Sequence, residues 1–225
     1  MLLCFFMGMI SVFPASFMEW LIMPFAPSPE SHPVWNGLFD GFLVAGFSEE
    51  LCKLLLLMLV IWRSPYFDEY FDGIIYAAYL SLGFACVENI SYVFGSADAV
   101  STAFMRGILA VPAHFLFAVA MGYHLSLAKF DPANRKSHLL RALLYPLVLH
   151  GTYDALLMIS SNLTAASGQA DIIVGSLCSL LFIVFVIFDV KLWRHGLKRI
   201  KSMQERSRQD DFDPYNPFKD FRWDV

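Results

Sequence analysis

The sequence predicts an all-α, polytopic membrane protein, with about six transmembrane helices packed in one bundle. The 225 residues are 57% hydrophobic and only 16% charged, and the mean hydropathy is +0.55, which exceeds the usual values for a soluble globular domain. Long apolar runs recur along the chain and are separated by polar or proline-rich stretches. The net charge of −4 gives no basic surface, so we expect the lipid bilayer, and no nucleic acid, as a partner.

Six apolar segments are long enough to cross a bilayer as helices, which takes about 20 residues. We predict these helices at residues 2–23, 35–62, 71–94, 102–128, 139–159 and 172–193. A signal peptide is the competing interpretation of the first segment. No basic region precedes that apolar run and no A-x-A site follows it, which favours a transmembrane helix. Residues 1–193 are therefore predicted to form the transmembrane domain.

The basic residues predict the orientation of the helices. Lys129, Arg135, Lys136 and Arg141 flank the connection between the fourth and fifth predicted helices. The segment after the sixth helix is the most basic of the chain. Positively charged loops stay in the cytoplasm, so both termini are predicted to be cytoplasmic. The tail, residues 194–225, is first basic and then acidic and proline-broken, which predicts a largely disordered cytoplasmic extension.

Glu49 and Glu50 stand inside a stretch that otherwise looks lipid-facing. A charged side chain at the bilayer centre costs roughly 2.5–3.5 kcal/mol on insertion scales. Lys53 follows three and four residues later on nearly the same helix face and is a candidate partner. An intramembrane ionisable residue points by default to a functional site. The alternative is a structural ion pair that locks two helices together.

Four predicted helices each carry a carboxylate or an imidazole at a similar depth. The residues are Glu50, Glu88, His114 and His150. At ~1.5 Å per residue, Glu50 lies ~18 Å from Trp62 at the inner end of its helix, and the same arithmetic applies to the others. All four fall in the middle and outer half of the bilayer. Scattered structural polar residues would not usually share one level, so this coincidence favours a site.

The residue types suit a divalent metal ion, which we expect to be one Zn²⁺ per chain. Histidine nitrogen and carboxylate oxygen are zinc ligands, and catalytic zinc sites keep one position open for water. The candidate ligands are Glu50, Glu88, His114, His150 and Asp154. Asp154 shares a helix face with His150 and could instead fix the tautomer of that histidine.

Glu49 and Glu50 point about 100° apart on their helix, so we expect them to have different roles. One would bind the metal and the other would act as general base, and the sequence does not distinguish them. A metal-free site, with a carboxylate and a histidine activating water directly, is the alternative. Lys53, Asn89 and Arg106 are predicted to be supporting residues. Asn89 would brace Glu88 or a neighbouring helix, and Arg106 would either reach the interface or hold a substrate carbonyl.

Four motifs, each on its own predicted helix, resemble the PrsW family of intramembrane proteases. Glu49-Glu50-Leu51-Cys52-Lys53 is similar to an EExxK motif and Phe84-Ala85-Cys86-Val87-Glu88 to FxxxE; His114 follows, and His150-Gly151-Thr152-Tyr153-Asp154 is similar to HxxxD. The family is related to the CAAX prenyl proteases and the Abi proteins. The resemblance extends over residues 37–158, most of the predicted membrane domain.

The resemblance implies a peptidase of a bacterial-type cell membrane. Its substrate would be a membrane-anchored protein, an anti-sigma factor that receives its first, extracytoplasmic cut during a stress response. Glu49, Glu50 and His150 would be catalytic, with Glu88, His114 and Asp154 completing the site. Two alternatives stay open at this point. A CAAX-type protease would admit its substrate from the cytosol, and a proton-coupled transporter would use a Glu/His relay. The chain shows no inverted repeat, which speaks against the transporter.

Overall fold

The structure, a computed structural model, describes residues 1–165, 173, 175–177, 179–188, 190, 191, 194, 198, 201 and 205. Every regular element in these parts of the chain is helical, as the sequence predicts. Among the described residues, four helices are long and apolar enough to cross a membrane, namely Leu2–Phe25, Tyr70–Gly95, Ala99–Phe130 and Pro132–Leu163. The predicted helix at 172–193 lies partly outside the described residues, and the predicted tail lies almost wholly outside them.

Seven α-helices and three other helical segments follow one another between residues 2 and 165. Helix α1 is Leu2–Ile22 and continues into a 3₁₀ turn at Met23–Phe25. The next elements are α2 (Pro33–Phe39), a π-helix (Asp40–Phe47), α3 (Ser48–Ile61) and α4 (Tyr70–Gly95). They are followed by α5 (Ala99–Ile108), α6 (Ala110–Phe130), a 3₁₀ turn at Pro132–Asn134 and α7 (Arg135–Ala165).

The second predicted helix forms one uninterrupted helical path from Pro33 to Ile61, but its middle is a π-helix. A π-helix is wider than an α-helix and is frequently found at functional sites. Here it packs against α7, where a Cβ added at Gly41 would collide with the backbone of Gly151 and Ala155. The close approach therefore depends on glycine. It places the first turn of α3, which carries Glu49 and Glu50, beside α7.

The fourth predicted helix differs from expectation because it is divided in two. Helix α5 ends at Ile108, and α6 begins at Ala110 after Leu109, whose φ and ψ are −107° and −57°. Pro112 has no N–H to bond the carbonyl of Ile108, so the helix bends at this turn. The start of α5 also precedes the predicted start at 102, because the side chain of Asp98 accepts a hydrogen bond from the backbone N–H of Ser101.

Helix α7 continues past residue 159, where the sequence predicted a loop. Ala155, Ile159 and Leu163 recur at four-residue intervals and are buried together against Leu38 and Phe42. This apolar stripe extends the helix by packing it along α2 and the π-helix.

Helix α4 occupies the middle of the molecule and packs against α1 on one side and α6 on the other. Two glycines bring α1 and α4 into backbone contact. A Cβ at Gly8 would overlap the carbonyl of Leu80, and a Cβ at Gly83 would overlap that of Phe5. Small residues at helix crossings allow this kind of close packing in membranes.

Candidate active site

Glu49, Glu50 and Lys53 form a fully buried ion-paired group on α3. Their exposed fractions are 4%, 1% and 0%. The ammonium of Lys53 donates to Glu49 Oε2 at 3.0 Å and to Glu50 Oε1 at 2.8 Å. The predicted pairing is confirmed, and the single ammonium is shared by both carboxylates.

His150, from α7, joins this group. Its Nδ1 lies 2.8 Å from Glu50 Oε1, and its Nε2 lies 3.1 Å from Asp154 Oδ2 and 3.9 Å from Glu49 Oε2. Asp154 therefore contacts His150 on its own helix, as the four-residue spacing predicted. Each ring nitrogen of His150 faces a carboxylate, so the orientation of the imidazole is tightly determined.

His114, from α6, completes the group, and its contacts determine its tautomer. Its Nδ1 lies 3.3 Å from Lys53 Nζ, and its Nε2 lies 2.8 Å from Glu88 Oε2. An ammonium can only donate, so Nδ1 must accept and Nε2 must carry the proton that is donated to Glu88. The lone pair of His114 consequently points toward the Lys53 ammonium, which also contacts the two glutamates on α3.

Glu88 and Asn89, on α4, connect this group to α5. Arg106 Nη2 lies 2.8 Å from Glu88 Oε2, and its Nε donates to Asn89 Oδ1 at 2.6 Å. The guanidinium also lies 3.8 Å from the ring centroid of Tyr92. Asn89 thus contacts a neighbouring helix, and its supporting role stays a prediction. Arg106 is held by contacts with three residues of α4.

Glu49, Glu50, His114 and His150 form a group that could hold a metal ion. One ligand atom from each lies within 4.8 Å of those of the other three, and all four residues are buried. Two carboxylates and two imidazoles suit a zinc-type ion, so the donor set fits the predicted metal. The other two predicted ligands, Glu88 and Asp154, are not members of this group. Glu88 contacts His114 and Asp154 contacts His150, so each is a partner of one histidine.

Two aromatic rings cover the group. Lys53 Nζ lies 3.9 Å from the ring centroid of Phe84, and the ring of Phe117 stacks on His150 at 5.0 Å with an interplanar angle of 20°. Both phenylalanines are buried. The sequence marks Phe84 only as the first residue of the FxxxE-like motif and gives no signal for Phe117. In the structure both buried rings place apolar surface directly against the charged group.

A cavity of about 290 Å³ opens onto the site. Its lining includes Glu49, but Glu50 is not part of it; the other polar lining residues named at this site are Glu88, Arg106, His114, His150 and Asp154. The structure thus separates the two glutamates, because Glu49 faces the open space and Glu50 lies behind it.

Glu19 and Asp40 also line this cavity and were missed by sequence reasoning as site residues. Glu19 comes from the end of α1, and Asp40 begins the π-helix. The one signal for them in the sequence is an acidic residue in an apolar stretch. Their approach to the site depends on how α1 and the π-helix pack, which local patterns do not reveal.

Comparison with known proteins assigns the chain to a protein family. The family described as PrsW family intramembrane metalloprotease matches residues 1–189. This chain belongs to the PrsW family. Protease PrsW of Bacillus subtilis (strain 168) is 36% identical over 200 residues, which is 88% of this chain and 79% of that protein. Protease PrsW of Clostridioides difficile (strain 630) is 34% identical over 176 residues, 76% of this chain and 67% of that protein.

A third relative extends the comparison further along the chain. Protease PrsW of Geobacillus kaustophilus (strain HTA426) is 31% identical over 212 residues, 93% of this chain and 82% of that protein. No solved structure shows a significant match. The chain is therefore an integral membrane protein and a peptidase of the PrsW family, as its motifs predicted. The CAAX-type and transporter alternatives are not supported by these matches.

Proposed function

We propose that this PrsW family member is a metal-dependent endopeptidase that cuts a membrane-anchored protein near the extracytoplasmic side of the bilayer. The observation that carries the proposal is the buried convergence of Glu49, Glu50, His114 and His150 beside an open cavity. Two carboxylates and two imidazoles are costly inside a membrane, and their convergence at a cavity is what hydrolysis of a peptide bond requires.

Glu50, His114 and His150 are the residues that would hold the ion. When bound, a zinc-type ion supplies a Lewis acid for the scissile carbonyl and makes a water molecule in the site easier to deprotonate. Glu88 and Asp154 each contact the outer ring nitrogen of one histidine and so orient the imidazoles.

Glu49 is assigned as the general base because it lines the cavity and Glu50 does not. A base must lie within hydrogen-bond reach of the proton that it removes, and only a group at the cavity wall can meet a water beside the substrate. The proton taken from water would then pass to the amine of the leaving peptide. Phe84 and Phe117 place apolar rings beside Lys53 and His150, and an apolar neighbourhood strengthens the electrostatic interactions of these groups.

The substrate that we propose is an anti-sigma factor with a single membrane span, cut in the first step of a stress response. The support is the resemblance to the PrsW family together with the loop charges. The positive-inside rule supports a cytoplasmic connection at Lys129–Arg141, and with that orientation the site would lie in the middle and outer half of the bilayer. That depth suits a cut near the outer surface.

The test is elemental analysis of detergent-purified wild type beside His150→Ala, with cleavage of a single-span test substrate measured on the same samples. We expect one zinc-type ion per chain in wild type, and loss of both metal and cleavage in the variant. A strong chelator should abolish wild-type cleavage, and added Zn²⁺ should restore it. Full cleavage in chelator, with no metal bound, would replace the metal mechanism by direct activation of water by Glu49.

A further inference from the structure

We propose that the ammonium of Lys53 and the metal ion are alternative occupants of one position, so that Lys53 is a built-in competitor for the metal. The inference rests on the proposed function, because it takes Glu50, His114 and His150 as the residues that would hold the ion, with Glu49 beside them as the base. It concerns the position of the Lys53 ammonium in the metal-free protein. In that state Lys53 is a cation shared by Glu49 and Glu50, and buried carboxylates are costly within a bilayer without such a partner.

The contacts of Lys53 carry the inference. Its Nζ lies 3.0 Å from Glu49 Oε2, 2.8 Å from Glu50 Oε1 and 3.3 Å from His114 Nδ1. These three residues are three of the four members of the candidate metal group. The ammonium therefore already uses the lone pairs that an ion would need.

Simultaneous occupancy is excluded by distance and charge. A zinc-type ion binds oxygen and nitrogen at ~2.0–2.2 Å. An ion bound to the atoms that now face Nζ would lie closer to the ammonium than two cations tolerate in a buried, low-dielectric site. The lysine stem is four carbons long and flexible, so the ammonium can withdraw when the ion enters.

The charge balance favours the exchange. When both are ionised, Glu49 and Glu50 carry two negative charges; the Lys53 ammonium supplies one positive charge to them, and a divalent ion supplies two. The ammonium keeps the metal-free protein folded by satisfying the buried acceptors, and Phe84 supports it from behind with its ring face. The same contacts must be broken before metal binds, which lowers the apparent affinity for metal.

The experiment compares Zn²⁺ affinity in wild type, Lys53→Met and the control Lys129→Met, by equilibrium dialysis of the detergent-purified full chain. Lys129 is also partly buried, but it donates to the Trp62 carbonyl at 2.7 Å, away from the site. We expect Lys53→Met to bind Zn²⁺ at least about tenfold more tightly than wild type, and Lys129→Met to bind like wild type. Binding of Co²⁺, followed by its visible absorption, should show the same order.

Thermal stability supplies a second readout that does not require activity. Without metal, Lys53→Met should melt below wild type, because two buried carboxylates lose their cation. Added Zn²⁺ should raise the Tm of the variant more than that of wild type, since the ion replaces the missing charge. If Lys53→Met cannot be purified, Lys53→Arg replaces it. The arginine keeps the positive charge, so Zn²⁺ should bind no more tightly than to wild type. Tighter binding of Zn²⁺ by Lys53→Arg would contradict the inference.

The possible failures are distinguishable from failure of the proposed function. Equal or weaker Zn²⁺ binding by Lys53→Met, with metal still bound by wild type, overturns the competition and leaves the metalloprotease in place. Absence of Zn²⁺ binding from both proteins also overturns it, and makes Lys53 the permanent cation of the site. Cleavage of the test substrate by wild type then decides separately whether the protein is a protease.

Discussion

Lys53 Nζ lies 3.3 Å from Nδ1 of His114, although the two residues are 61 positions apart in the chain and come from different helices. Because the ammonium only donates, this contact holds the lone pair of His114 toward Lys53, the cation that Glu49 and Glu50 share. Glu88 holds the opposite ring nitrogen. The imidazole is therefore oriented by protein contacts alone in the metal-free protein, and the Lys53 contact is one that metal binding would have to break.

The contact between Glu88 and His114 leads to the first prediction. Glu88→Ala removes the acceptor at Nε2 of His114, and loss of such an outer partner typically costs 10–100-fold in activity or metal affinity. We expect cleavage of a single-span test substrate to fall about 10–100-fold. Glu88→Gln keeps an oxygen that can accept the same hydrogen bond, so it should retain more activity than Glu88→Ala. Equal loss in both variants would show that the charge of Glu88, rather than its hydrogen bond, is required.

The different positions of Glu49 and Glu50 lead to the second prediction. Glu49→Gln removes the proposed base, and we expect cleavage to fall by at least about 100-fold, with a smaller loss of Tm than in Glu50→Gln because Glu49 has only its Lys53 contact at close range. Glu50→Gln should also abolish cleavage, but it weakens the contacts with Lys53 and His150 and should lower stability by about 1–3 kcal/mol. Steady-state cleavage and thermal melting on the same preparations check both expectations.

An exposed glutamate provides the matched control for these variants. Glu30, in the loop after α1, accepts a hydrogen bond from Ser28 and lies outside the cavity. Glu30→Gln should cleave and melt like wild type. Wild-type cleavage by Glu49→Gln would remove Glu49 from the mechanism, and a larger loss of Tm in Glu49→Gln than in Glu50→Gln would reverse their assigned positions.

The residues of the site could be predicted because charged residues inside apolar segments are visible in the sequence, and their insertion into a membrane costs free energy. Glu50, His114 and His150 stand out as ionisable residues inside apolar runs, and the fixed rise of a helix places them at one depth. Their grouping in the structure follows that arithmetic. The i, i+4 spacing likewise predicted the contact of Asp154 with His150.

Rotation and bending of the helices could not be predicted in the same way. The π-helix at Asp40–Phe47 changes the rotation of the segment that precedes Glu49. The spacing of apolar residues in the sequence does not predict this π-helix. The break at Leu109 lies three residues before Pro112, and a proline in an apolar run indicates a bend without giving its direction. Glu19 joins the cavity only because α1 packs closely on α4, which is a tertiary property.

The third prediction tests the orientation that the loop charges imply. In a chain whose four cysteines are replaced, we introduce Ala97→Cys between α4 and α5 or Ala133→Cys between α6 and α7, both at exposed positions. The positive-inside rule predicts that a membrane-impermeant maleimide labels residue 97 in intact cells, and residue 133 only after permeabilisation. The opposite labelling pattern would invert the predicted orientation of the helices. The site would then lie toward the cytoplasmic half of the bilayer, which would argue against an extracytoplasmic cut.

The contact between Gly8 and the backbone of Leu80 leads to the last prediction. Gly8→Ala places a methyl group against a carbonyl that belongs to the α4 backbone and cannot move aside cheaply. We expect a loss of about 1–3 kcal/mol, seen as a lower Tm, because overpacking forces α1 away from α4. Cleavage should fall as well, since α1 contributes Glu19 and Val12 to the wall of the cavity. Gly95→Ala is the control, because a Cβ there has no neighbour within 4 Å, and both Tm and cleavage should stay near wild type. A Gly8→Ala protein with unchanged Tm would show that the two helices can separate without loss, and that α1 is not a fixed wall of the site.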